Sequence, residues 1–155
     1  MHPQPLQNPA SPWHAGELAI QQSVGVVGRM DMPGRKFLRP FLLDQHRELY
    51  PLLHFVVLGS VDAQGDAWAT VRAGEPGFLH SPDPSTLHVA AGRDAADPAE
   101  PGLGDGHAVG LLGMDPMTRR RNRLNGTVRR KAGVDGAGAF DIGVVQSFGN
   151  CPRYI

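Results

Sequence analysis

The sequence predicts a mainly β fold of the α+β class: a small antiparallel β-barrel of about six short strands, preceded by helices. Three observations carry that expectation. The 155 residues include 20 glycines and 14 prolines, a turn-rich composition that suits short strands better than a helix bundle. Apolar runs with β-branched residues recur at roughly regular spacing from Phe55 onward. Helical periodicity is concentrated in the residues before them. A chain of this length forms one domain and buries roughly 70% of its unfolded surface, so it needs no staple.

Residues 1–10 are rich in Pro and Gln and read as a flexible arm ahead of a domain over 11–155. Ser11 and Pro12 suit the N-cap and first position of a helix. Trp13, Ile20, Val24 and Val27 keep helical spacing through 12–28, with Gly25 and Gly28 weakening the last turn. Pro33 and Pro40 make 29–43 an irregular connection. Asp44 then caps a short helix over 45–53. Phe55–Val61 and Ala67–Ala73 flank a turn at 62–66 and read as a hairpin. Phe78–His80 is a short strand between the turns 74–77 and 81–84, and Leu87–Ala90 is another. Residues 91–106 are a loop with little to bury and one helical turn near Pro98–Leu103. His107–Met114, the Arg-rich segment that follows, and Phe140–Gln146 complete the strands, with a hairpin tip at 133–138.

Charge is distributed unevenly. The chain has 15 basic and 15 acidic residues, yet seven of the basic ones fall in Arg119–Lys131, which contains no acid. Arginine forks match phosphate oxygens, so an anionic ligand is one reading; a solvated basic edge strand is the other. As a strand, the segment puts Arg121, Arg123 and Asn125 on one face. Asn122, Leu124, Gly126 and Val128 fall on the opposite face, where Leu124 and Val128 suit a core. Arg119 and Arg120 lie in the preceding turn and reach either side. Arg129, Arg130 and Lys131 read as a solvated edge.

Several chemistries are disfavoured. There is no phosphate-binding Gly-rich loop, and 102–106 precedes a strand rather than opening a helix. None of the seven histidines has H-x-x-x-H spacing, so no metal is expected; His80 and His88 flank a turn and can approach each other, which surface histidines also explain. Cys151, the only cysteine, lacks a partner base and suits a reducing compartment. Zero net charge and sparse aromatics argue against a nucleic-acid partner. No apolar run of about 18 residues suggests a membrane span, and no secretory leader pattern is present, so the expected location is cytoplasmic.

Two short segments look suited to a flat ligand. Trp68-Ala69-Thr70-Val71-Arg72 sets a Trp, a hydroxyl and an Arg along one strand, which floors a heteroaromatic ring or else makes a core Trp capped by a surface Arg72. Gln146-Ser147-Phe148-Gly149-Asn150 offers small polar groups to a ring edge, or merely ends the strand.

The hairpin Ser60–Thr70, the Gly74-Glu75-Pro76-Gly77-Phe78 turn, the stretch Thr118–Gly126 and the tail Gln146–Ile155 together resemble the pyridoxamine 5′-phosphate oxidase-like, FMN-binding split-barrel proteins. They are most similar to the subgroup found alone or fused to ferredoxin-reductase-type modules. The resemblance covers about Ser11 to Ile155, and Arg-Arg-Arg-Asn-Arg-Leu-Asn-Gly and Gln-Ser-Phe-Gly-Asn-Cys-Pro are its specific parts. It implies a six-stranded antiparallel split barrel that forms a homodimer, with FMN at the subunit interface. The implied flavin contacts are Trp68, Ala69 and Thr70, Arg120 and Arg121, and Gln146 and Ser147, with Arg72 and Asn125 as additions. Thr70 stands where relatives have Ser, which keeps the hydroxyl.

The resemblance implies an FMN-dependent oxidoreductase or flavin reductase, taking electrons from NAD(P)H or a reductase domain. The alternative is a binding or storage protein for flavin, deazaflavin or haem on the same fold. The chain does not show the Arg and Lys pattern with which pyridoxamine phosphate oxidases hold their substrate phosphate, and no residue reads as an obligatory catalytic acid or base. It is a stand-alone protein or a trimmed domain of a longer one.

Overall fold

The computed structural model describes residues 11–130 and 138–149. The expected arm at 1–10, most of the hairpin tip at 133–138 and the tail from Asn150, including Cys151, lie outside the described residues. The chain divides into two compact units, Met1–Arg39 and Pro40–Ile155.

The first unit carries helices α1 (Ala15–Ser23) and α2 (Val27–Phe37). The expected start at Ser11 gives way to His14, whose imidazole Nδ1 accepts the Gly16 and Glu17 amides while Glu17 accepts the His14 N–H. That reciprocal pair satisfies more of the helix's free N–H groups than Ser11 would. The expected single helix over 12–28 breaks at Gly25, which adopts φ 68°, the left-handed conformation of a helix stop. The expected irregular connection is largely α2, with Pro33 inside it. The Trp13 indole donates to the Met30 carbonyl, and Gly34 is buried beneath the ring, where a Cβ would come within 2.6 Å of Trp13 Cε2.

The second unit is built on one antiparallel sheet. Its strands are β1 (Phe55–Val61), β2 (Ala67–Ala73), β3 (Leu79–Asp83), β4 (Thr86–Val89), β5 (Ala108–Met114), β6 (Arg121–Arg129) and β7 (Phe140–Gly149). Their order is β2-β1-β5-β6-β7-β4-β3. The expected six strands of the split barrel are corrected: among the described residues there are seven, in one sheet that does not close and has β2 and β3 as its two ends. The expected turn at Ser81-Pro82 is part of β3 instead. Pro82 is tolerated because β3 is an edge strand, where a missing N–H breaks no second ladder.

Alternation sorts the sheet into two faces. Val56 and Leu58 of β1, Val109 and Leu111 of β5, Leu124 and Val128 of β6, and Ile142 of β7 are buried on the inner face. Leu42, just before α3 (Asp44–Arg47), and Leu49, Tyr50 and Leu53, in and beside the 3₁₀ turn Tyr50–Leu52 that follows it, join the same core. Tyr50 is fully buried and donates its hydroxyl to Asn122 Oδ1 at 2.6 Å; Asn122 in turn donates to the Ser147 hydroxyl and the Phe148 carbonyl. Burial pushes the Tyr50 phenol pKa far up, so the hydroxyl stays a neutral donor. Gly113 leaves room for that ring, since a Cβ there would lie 2.8 Å from Tyr50 Cε1.

Candidate functional site

The start of the Arg-rich strand opens on a groove of about 570 Å³ lined by Gln45, His46, Leu49, Thr118, Arg119, Arg120, Arg121 and Gly149. The turn between β5 and β6 builds it. Asp115 accepts the Thr118 hydroxyl at 2.5 Å and the Met117 amide, and its own N–H bonds the Arg120 carbonyl. Those contacts hold the Asp115 carboxyl below the usual range, with the Thr118 hydroxyl the largest cause. Arg119 takes φ 59°, a left-handed conformation that costs a non-glycine residue about 1 kcal/mol or more. Arg120 donates to the Gln45 carbonyl at 2.8 Å. Three arginines thus line one groove that has no carboxylate in its lining, a donor set suited to an anion, while the Thr118 hydroxyl hydrogen is committed to Asp115.

The outer face of the sheet carries a second group of expected residues. Register sets Ala69, Gly59, Gly110, Asn125 and Gln146 in one row across β2, β1, β5, β6 and β7. Asn125 Nδ2 donates to Gln146 Oε1 at 3.1 Å. The neighbouring row is Val71, Val57, Leu112, Arg123 and Phe148. Val71 is 59% exposed and Val61 49% exposed, so part of an apolar sheet face is open. A bulge opposite Asn125 and Gly126 makes this arrangement: β7 gains one residue, and Gln146 turns outward while Ser147 turns in. Ser147 is buried with its hydroxyl accepting from Asn122, so its side chain is turned away from the outer face.

On β2, the two readings of Trp68 and Arg72 exchange places. Trp68 is the exposed member, with its indole N–H held by Asp62 Oδ2 at 2.8 Å, and Arg72 is buried. Arg72 donates to Asp97 Oδ2 at 2.6 Å, to Glu100 Oε2 at 2.9 Å and to the Thr70 hydroxyl at 2.9 Å. Thr70 in turn donates to Asp97 at 2.5 Å. Glu100 also takes Arg93 and Arg130, at 3.1 and 3.0 Å. Arg130 is therefore no solvated edge residue: it bonds Glu100 and the Leu103 and Gly138 carbonyls, and covers the Phe140 ring. The 91–106 loop likewise buries more than its composition suggests, with Ala99, Glu100 and Leu103 all inside.

This cluster makes stability acid-sensitive. The Thr70 hydroxyl, followed by the Ala99 amide and Arg72, holds the Asp97 carboxyl below its ordinary value. A carboxylate depressed on folding stabilises above its unfolded pKa of about 4, and that contribution is lost as pH falls through the folded value. Asp97→Asn is therefore expected to lower the melting temperature at pH 7, with the gap from wild type closing as pH falls below about 4. A gap independent of pH would show that the charge contributes nothing.

Apart from Trp68, held at Asp62, and Ser147, buried beside Asn122, the expected site residues fall into three groups within one chain. Arg120 and Arg121 share the groove; Ala69, Asn125 and Gln146 share the outer row; Thr70 and Arg72 share the ion cluster. Ala69 and Asn125 are separated by β1 and β5, about 14 Å at the usual strand spacing. Asp97 and Glu100 are not singled out from the sequence, where they carry no signal; Arg119 is named there as a turn residue of the Arg run, and Thr118 only as the start of the resembling stretch.

This seven-stranded arrangement is the pyridoxamine 5′-phosphate oxidase-like split-barrel fold, as comparison with solved structures shows. HupZ of Group A Streptococcus matches with TM-score 0.54 and 15% identity, over 70% of this chain and 93% of that one. An FMN-binding protein from Syntrophomonas wolfei matches with TM-score 0.53 and 13% identity, over 87% and 96%. A candidate pyridoxamine 5′-phosphate oxidase from Lactobacillus delbrueckii matches with TM-score 0.53 and 20% identity, over 71% and 95%. No family model and no curated protein matches the sequence. Among the described residues, no helix is long and apolar enough to cross a membrane.

Proposed function

We propose that this chain binds FMN and acts as an FMN-dependent oxidoreductase of the flavin reductase kind. The observation that carries the reading is the groove lined by Arg119, Arg120 and Arg121, whose donor chemistry fits a terminal phosphate. The backbone strain at Arg119 supports it, since strain of that kind gathers at ligand clamps. Asn125 and Gln146, already hydrogen-bonded to each other, have the amide groups to meet a ring edge. Bound FMN would supply reversible hydride and electron transfer.

Thr70 constrains the ligand further. Its hydrogen is committed to Asp97, and one lone pair to Arg72, so it can only accept a hydrogen bond. Arg72 is already balanced by two carboxylates. The β2 segment therefore suits an N–H or O–H group of the ligand rather than its phosphate. The purified protein is expected to show a flavin spectrum, or to acquire one on titration with FMN. A colourless protein that takes up no FMN would sink the reading.

A homodimer with the flavin at its interface accounts for the open apolar face. A second copy laid across Val57, Val61, Val71 and Leu112 would bury apolar surface and set β2 of one copy near β6 of the other. A stable interface needs about 800 Å² per partner, within reach of a five-stranded face. Val71→Asp is expected to convert the dimer to a monomer in light scattering and to weaken FMN uptake, although Arg120 and Arg121 are untouched. Retention of a tight dimer would place the interface elsewhere.

The groove's lack of a carboxylate favours a second reading, in which the chain binds or stores flavin, deazaflavin or haem without turnover. Consumption of NAD(P)H by the cofactor-loaded protein separates the two, as storage predicts none. We infer a cytoplasmic location from the sequence features alone.

A further inference from the structure

We propose that His80 and His88 form a two-imidazole site for a divalent transition-metal cation, with Zn²⁺ as the probe. The two residues are direct partners in the β3–β4 register, and their rings lie 4.7 Å apart between centroids. His80 is exposed and His88 half-buried, so a cation can reach them from solvent. His88 Nδ1 stands 2.7 Å from Asp141 Oδ1, on the next strand in register. A carboxylate can only accept, so Nδ1 carries the proton and the lone pair of Nε2 is left for a metal. A carboxylate behind a ligating histidine fixes its ring and raises its basicity.

The ligand class follows from the donors. Imidazole suits Zn²⁺, Cu²⁺ and Ni²⁺, whereas Mg²⁺ and Ca²⁺ need oxygen cages. Among the described residues no group of three or more His, Cys, Asp or Glu side chains stands close enough to hold a metal. The pair therefore supplies two of four positions and leaves the rest to water or an incoming ligand. Because β3 is the end strand of the sheet, a bound cation would also clamp that edge to β4.

The test is calorimetric titration of the tag-free full chain with ZnCl₂ in a non-chelating buffer. One Zn²⁺ per chain is expected, with His80→Asn and His88→Asn each weakening binding at least tenfold. Asp141→Asn should weaken it by about tenfold or more, and His54→Asn should leave it unchanged. For wild type, Zn²⁺ should also protect His80 and His88 from diethylpyrocarbonate, read by mass spectrometry, whether or not the variants fold. Absence of binding, wild-type affinity in either histidine variant, or protection confined to other histidines would each overturn the assignment.

Discussion

Replacing Arg120 and Arg121 together by alanine is expected to weaken FMN binding by more than a hundredfold. Each charge-assisted hydrogen bond to an anion contributes about 1.5–3 kcal/mol, so losing two removes about 3–6 kcal/mol. Riboflavin, which lacks the phosphate, should lose far less affinity in the same variant. That contrast separates phosphate binding from general damage to the groove. Arg120 also bonds the Gln45 carbonyl, so an unfolding measurement must accompany the titration. Arg129→Ala is the matched control, because its guanidinium lies against Gly143, away from the groove lining. Equal losses for FMN and riboflavin would mean that the two arginines do not hold a phosphate.

Glu100→Gln is the substitution expected to cost the most stability. Its carboxylate accepts from Arg72, Arg93 and Arg130 at 2.9–3.1 Å, and only 11% of the side chain is exposed. Among the described residues, removing the charge leaves Arg72 paired with Asp97 alone and Arg130 without an ion-pair partner, with only the Asp105 carboxylate nearby, although both arginines are largely buried. Breaking a buried ion pair from one side costs about 3–5 kcal/mol. For a chain of this size that is a fall in melting temperature of roughly 10 °C or more. Arg93→Ala should cost less than about 1 kcal/mol, because 58% of that side chain is exposed and its pairing is screened. Comparable melting temperatures for wild type and Glu100→Gln would show that the cluster contributes no net stability. Because Asp97 of the same loop holds Thr70, loosening the cluster should also lower affinity for the ligand's uncharged part.

Much of the strand layout was legible. Phe55–Val61 and Ala67–Ala73 coincide with the observed strands, because β-branched runs flanking a polar turn define a hairpin locally. The split of β6 into an outer Arg121, Arg123, Asn125 face and an inner Asn122, Leu124, Val128 face also agrees with the structure. β7 was harder. Its expected end at Gln146 lies three residues short of the observed one, since Ser147 and Phe148 are small or apolar groups whose pairing with β6 has no local signature.

The site was legible only in part. The Arg run pointed to a cationic groove, but which of its members serve it depends on distant partners. Arg130 looks identical to Arg120 in the sequence, yet it is held by Glu100, 30 residues away. Arg72 is drawn inside by Asp97 and Glu100, 25 and 28 residues along the chain.

The sequence by itself determined the turn-rich β character, most strand positions, the inner and outer faces of β6 and the concentration of cations before it. These are properties of local conformation and of a two-residue repeat, so neighbours in the chain suffice to set them. Tertiary structure alone decided that the sheet has seven strands and two free ends, that a bulge turns Gln146 outward and Ser147 inward, and that Arg72 and Arg130 serve an ion cluster while Arg119, Arg120 and Arg121 line the groove. Each of those outcomes rests on hydrogen bonds and ion pairs between residues far apart in the chain, and such pairings exist only once the sheet has assembled.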